Sequence, residues 1–221
     1  MLGTLISLRA KSELYSQGTI GLIMSGFFMG YVLGSYLCPN VIRNIGHIRG
    51  FSVFAAVGCV SVILHGLIID PVIWLILRIV TGVCMLGMYL VIESWINSLA
   101  TKKTRGSIFS VYMGINLLAL GTSQYLILIY EIQSLAPFAL IALFFSLALV
   151  PIALTRISQP TPVESGKLGL KHLYSTSPLA FYGALLLGIV NGAFWGMGSV
   201  YALSVGFDVA GISYEPVVVD I

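Results

Sequence analysis

Two ionisable residues, Arg78 and Glu93, stand inside an otherwise uncharged stretch from Pro71 to Asn97. A guanidinium or carboxylate in a bilayer costs at least about 2.5–3.5 kcal/mol, so each is expected to face a wet cavity or a partner rather than lipid. The chemistry such a pair supports is that of a pathway. Arg78 would stabilise an anionic solute or tune a proton site, and Glu93 would carry a proton or act as an inner gate. Fifteen residues apart, they sit about 60° from each other around a helix and roughly 22 Å apart along it, with Gly82, Met85 and Tyr89 on the face between them. Arg78 then belongs to the outer half and Glu93 to the cytoplasmic end. The plainer alternatives are snorkelling of Arg78 to the outer interface and pairing of Glu93 with Lys102, Lys103 and Arg105. Other polar groups in apolar surroundings are Ser25, Tyr31, Asn116, Gln124, Asn191 and Trp195. Asn116 and Gln124 share a helical face, which interhelical hydrogen bonding would also explain. His65 is expected at the outer interface.

The elements that must position these residues are set by charge spacing. The 11 Lys+Arg and 8 Asp+Glu of 221 residues stand mostly at the borders of uncharged runs: 29 positions between Glu13 and Arg43, 20 between Arg49 and Asp70, 25 between Arg105 and Glu131, 24 between Glu131 and Arg156, and 36 between Lys171 and Asp208. About 20 apolar residues of helix cross a bilayer, so each run spans once. The spans are expected at about 17–39, 50–69, 71–97, 106–130, 134–155 and 178–203. With 58% hydrophobic residues, 9% charged residues and a mean hydropathy of +1.01, a water-soluble fold is excluded. Transmembrane strands would be half as long and alternate with period two, so the fold class is an all-α membrane protein of six transmembrane helices. Asp70-Pro71 and Ser177-Pro178 each read as a capping residue before a proline at the first helical turn.

With six spans the loops alternate between two faces. One face receives Arg43, Arg49, Lys102, Lys103, Arg105, Arg156, Lys167 and Lys171; the other receives Arg9 and Lys11. By the positive-inside rule loops 43–49, 102–105 and 156–177 are cytoplasmic and the N-terminus of this chain is external. Residues 1–16 then read as the outer end of a first helix absent from the chain, followed by an external loop. Residues 17–155 carry five spans, 156–177 form a central linker, 178–203 form the sixth span, and 204–221 form an irregular tail. The cations flank spans instead of forming a stripe, so the lipid bilayer and not nucleic acid is the expected partner. Cys38, Cys59 and Cys84 lack ligand spacing, and no metal, cofactor or catalytic residue is expected.

Glycines four apart build a flat ridge on which helices can approach closely, and two such ridges occur: Gly26, Gly30 and Gly34 in the first span, Gly188, Gly192 and Gly196 in the last. They serve as packing surfaces or, in the second reading, as surfaces that slide during rocking motions. Ile79-Val80-Thr81-Gly82 also echoes Ile189-Val190-Asn191-Gly192, as a transporter built from repeated three-helix units would show.

Together these residues resemble the major facilitator superfamily. The likeness lies in an R-x-x-x-G pattern, here Arg78 and Gly82, and a basic cytoplasmic loop around a glycine, here Arg43, Gly46 and Arg49. It is greatest to a bacterial group of such transporters with Glu93-Ser94-Trp95 ending helix four and Asn191-Gly192-Ala193-Phe194-Trp195-Gly196 in helix seven. The resemblance implies a partial bundle, helices two to seven of twelve, in a bacterial inner membrane, and alternating-access transport of a small solute with a proton as candidate coupling ion. Two positions depart from the pattern. Arg43 stands where the superfamily carries an acid, and the helix with Gly114 and Gly121 lacks the Gly-Pro pair of drug/proton antiporters, so drug export is not implied.

Two further readings compete. One is a non-transporting assembly partner within a larger membrane complex. The other is an intramembrane serine protease built on Ser199 and His65. Half a bundle would leave its cavity face and glycine ridges open to lipid, so the chain alone is expected to be inactive or unstable without the missing half-bundle or a complementing subunit.

Overall fold

The computed structural model describes residues 1–154 and 174–206, all helices and short connections with no strand among them. Six helical segments, one of them the interrupted stretch Ala136–Leu154, are long and apolar enough to cross a membrane. The order is α1 (Leu2–Ser12), α2 (Gln17–Ile45), α3 (His47–Leu67), α4 (Pro71–Leu99), α5 (Arg105–Tyr125), α6 (Ala136–Leu147), α7 (Leu149–Leu154) and α8 (Pro178–Ser204).

Capping and turn chemistry fix the boundaries. Asp70 accepts hydrogen bonds from the Val72 and Ile73 amides at 2.9 Å each, and Pro71 occupies the first turn of α4, where its missing N–H costs nothing. Ser16 accepts from the Thr19 amide at 3.1 Å to open α2. Ser177 accepts from the Ala180 amide at 3.4 Å to open α8. α1 closes in a Schellman arrangement, the Tyr15 amide donating to the Ala10 carbonyl and the Leu14 amide to that of Lys11, with Leu14 in the left-handed region at φ +60°.

Three expected spans are adjusted. The first does not stop at Pro39: α2 runs through it to Ile45, because neighbouring helices and side chains compensate for a lost backbone bond within a membrane helix. Gly46 alone then joins α2 to α3, at φ +85° and ψ +168°, a conformation essentially reserved for glycine. The fourth span, α5, stops at Tyr125, and Leu126–Ile129 tighten into a 3-10 turn. The span expected at 134–155 is two helices broken at Ala148, since Pro151 has no N–H to offer the carbonyl of Leu147 and its ring crowds that carbonyl. The linker expected at 156–177 lies outside the described residues up to 173, and the tail from 207 onward lies outside them as well.

Two hydrophobic clusters hold the helices together. One gathers Leu5, Ile6, Ile20, Met24, Val62, Trp74, Phe138 and Val200 from α1, α2, α3, α4, α6 and α8. The other gathers Cys38, Ile42, Phe51, Phe54, Cys84, Met88 and Val91 from α2, α3 and α4. Between them α2 and α4 cross backbone to backbone. A Cβ at Gly30 would overlap the Ile79 carbonyl oxygen, and one at Gly82 would overlap the Phe27 carbonyl oxygen. Gly26 and Gly34 extend that contact, to Leu75 and to Val83 and Leu86. α5 contributes no buried residue, and most of α8 is exposed.

Candidate functional site

The glycine crossing brings the third turn of α2 against Arg78. The guanidinium carbon lies 4.6 Å from the centroid of the Phe27 ring, a cation–π geometry, and the residue is 4% exposed. A Cβ on Gly3 of α1 would stand 3.8 Å from the other end of the guanidinium, so α1 closes it from the remaining side. Its Nε is buried without a hydrogen-bond partner, and no carboxylate pairs with it among the described residues. Arg78 therefore does not snorkel: it is enclosed between α1, α2 and α4.

From Phe27 the aromatic contact continues to Tyr31, one turn along α2, with ring centroids 4.9 Å apart. Tyr31 lines an open groove of about 360 Å³ together with Leu86, Tyr89, Leu90 and Glu93 of α4 and Tyr112, Met113 and Asn116 of α5. The groove exists because α5 touches α4 only lightly. Glu93 is half-buried there, and among the described residues its carboxylate has neither an ion pair nor a hydrogen bond. Arg105, expected as part of its partner cluster, donates instead to the Asn97 side chain.

Gln124 is placed apart from that groove, accepting a hydrogen bond from the Thr4 hydroxyl at 3.0 Å and so tying α5 to α1. Asn191 donates to the Leu187 carbonyl on its own helix, and it and Trp195 are exposed on α8. The second glycine ridge is loose. A Cβ at Gly188 would meet nothing within 4 Å, one at Gly192 would stand 3.9 Å from Phe28, and one at Gly196 would stand 3.7 Å from Met24. Of the six pathway candidates the fold thus joins Glu93 and Asn116 in one groove. It seals Arg78 beneath Phe27, and it leaves Gln124, Asn191 and Trp195 elsewhere. The loop residues Arg43 and Arg49 are exposed on either side of the Gly46 turn, and Arg43 donates to Asn40 at 3.1 Å.

Sequence reasoning missed Phe27 and Tyr112. Tyr112 had a signal: with Asn116 it makes a pair four apart on one face of α5, as Tyr89 and Glu93 do on α4. Phe27 had less, because it stands beside Phe28 in an apolar run and nothing in the sequence says which of the two rings meets Arg78. His65, near the end of α3, is fully buried among the helices, its Nδ1 2.7 Å from the Ser61 carbonyl and its ring 6.4 Å from Trp74, whose indole folds back to donate to the Ile68 carbonyl at 2.6 Å. A protease would need an accessible base, which this histidine is not. The Ser199 side chain lies outside the described residues.

Comparison with known proteins adds an independent line. A family model described as Major Facilitator Superfamily matches residues 1–218. The chain is 27% identical to the "Uncharacterized MFS-type transporter YcaD" of Escherichia coli O139:H28 (strain E24377A / ETEC), over 97% of this chain and 56% of that protein. It shows the same identity and coverage to the proteins of that name from Shigella sonnei (strain Ss046) and Shigella flexneri. The chain thus spans about half the length of the curated relatives it matches. No solved structure matches it.

Proposed function

Because the chain belongs to the Major Facilitator Superfamily, we propose that it forms part of a secondary transporter that moves a small solute by alternating access. The observation that carries this reading is the unpaired Glu93 carboxylate on a groove between membrane helices, lined by three tyrosines and Asn116. An intramembrane carboxylate without a partner is costly, and a pathway that admits water, protons or solute removes that cost. Glu93 acts as proton carrier or inner gate, and Arg78 acts as a fixed positive charge in the outer half of the same helix. Gln124, Asn191 and Trp195 face the pathway only when further helices close around α5 and α8, and a complementing half-bundle supplies them. The exposed faces of α5 and α8 support that arrangement. The protein sits in the bacterial inner membrane with the α1–α2 turn outside and loops 43–49, 102–105 and 156–177 inside, as the distribution of cations supports.

The test is solute flux in membrane vesicles carrying the full-length protein, screened over a panel of labelled small solutes. Flux above that of empty vesicles, reduced to below about a tenth by Arg78→Ala and altered in its pH dependence by Glu93→Gln, is the expected result. Flux that neither substitution changes would remove both residues from the transport mechanism.

A further inference from the structure

We infer that the groove between α4 and α5 binds an organic cation, an amine or quaternary ammonium with a small apolar body. The inference deepens the transport reading and rests on it for biological meaning. Its geometry stands on five observations. The groove holds a carboxylate, Glu93, with no cation beside it among the described residues. The other charged side chain of α4, Arg78, is roughly 22 Å away along the helix and already covered by Phe27. Three aromatic rings, Tyr31, Tyr89 and Tyr112, come from three different helices to the same groove. No Lys, Arg or His among the described residues lines it, so an anion would find no partner there. Its volume of about 360 Å³ lies at the small end of ligand sites.

A carboxylate in a groove lined by aromatic rings is an arrangement that recognises an ammonium group. The charge pairs with the carboxylate, the polarised methyl or methylene hydrogens rest on the ring faces, and desolvation strengthens both interactions. Leu86, Leu90 and Met113 supply an apolar wall for the rest of the ligand. A divalent metal ion is a poor fit, since it would need several hard oxygen ligands and no group of three metal-binding side chains occurs among the described residues.

The experiment measures binding of benzyltrimethylammonium to the full-length protein in nanodiscs by titration calorimetry, with neopentylbenzene, its neutral isostere, as control. Saturable binding of the cation, roughly tenfold or more tighter than the isostere, is expected. Glu93→Gln and Tyr89→Leu should each weaken it by about tenfold, and Tyr89→Phe should retain it because the ring face persists. No saturable binding, equal affinity for the isostere, or affinity indifferent to both Glu93→Gln and Tyr89→Leu would overturn the inference. A Glu93→Gln effect confined to the pH dependence of flux, with no cation binding, would overturn it too and leave Glu93 a proton carrier. Flux of some other solute without cation binding defeats this inference and spares the transport reading; cation binding without flux of any solute does the reverse.

Discussion

The guanidinium of Arg78 and the ring of Phe27 form a charge–π pair, 4.6 Å from carbon to centroid, inside a helix crossing too tight for any side chain at Gly30 or Gly82. The glycines set how near α2 comes to α4, and that approach sets the ring over the charge. Phe27 then passes the contact to Tyr31, so the enclosed cation and the carboxylate groove are linked by a continuous aromatic edge.

That linkage predicts an asymmetry between substitutions of Arg78 and Phe27. Phe27→Leu keeps the volume roughly constant and removes the π-face, which at a desolvated site contributes about 2 kcal/mol. Reduced thermal stability of the full-length protein in detergent is expected, with Phe27→Tyr close to the parent. Arg78→Lys should not restore the flux lost in Arg78→Ala, because a compact, strongly hydrated ammonium is costlier to enclose than a guanidinium. A melting temperature unchanged by Phe27→Leu would show that the stacking contributes nothing.

The two glycine ridges should respond oppositely. Gly30→Ala drives a methyl into the Ile79 carbonyl and forces α2 and α4 apart, at a cost of about 1–3 kcal/mol. Gly188→Ala meets open space, and removing a glycine from a helix interior gains up to about 1 kcal/mol. Unfolding midpoints of the two variants, compared with the parent, check the difference. Equal effects would mean that the ridge on α8 is packed in the membrane as tightly as the one on α2.

Two turn residues offer a paired test of backbone strain. Leu14 is 91% exposed in the left-handed region, so Leu14→Gly relieves the backbone without disturbing the packed interior and should stabilise by about 1 kcal/mol. Gly46, at φ +85° and ψ +168°, should tolerate no side chain, and Gly46→Ala should cost about 1–3 kcal/mol. Both are read in the same melting assay.

Orientation is tested with single cysteines. In a variant whose Cys38, Cys59 and Cys84 are replaced by Ala or Ser, a membrane-impermeant maleimide added to intact cells should label Leu14→Cys and spare Lys103→Cys. Labelling of Lys103→Cys from outside would invert the topology and with it the assignment of Glu93 to the cytoplasmic end.

The number and order of the spans, the Asp70 and Ser177 caps and the resemblance to a transporter family were legible in the sequence, because each depends on local quantities. A charge at a border, a proline after a capping side chain or twenty apolar residues in a row means the same thing in any tertiary context. The first glycine ridge was legible for the same reason: glycines at four-residue spacing have few uses besides close approach. Which helix received it was not, nor that its counterpart on α8 would be loose. Lipid is as apolar as leucine, so a membrane helix needs no polar face turned outward, and its sequence does not mark the side that faces its neighbours. The gathering of Tyr31, Tyr89, Tyr112, Glu93 and Asn116 from three helices, the closure of Phe27 and α1 over Arg78, and the burial of His65 beneath Trp74 were therefore decided by packing alone.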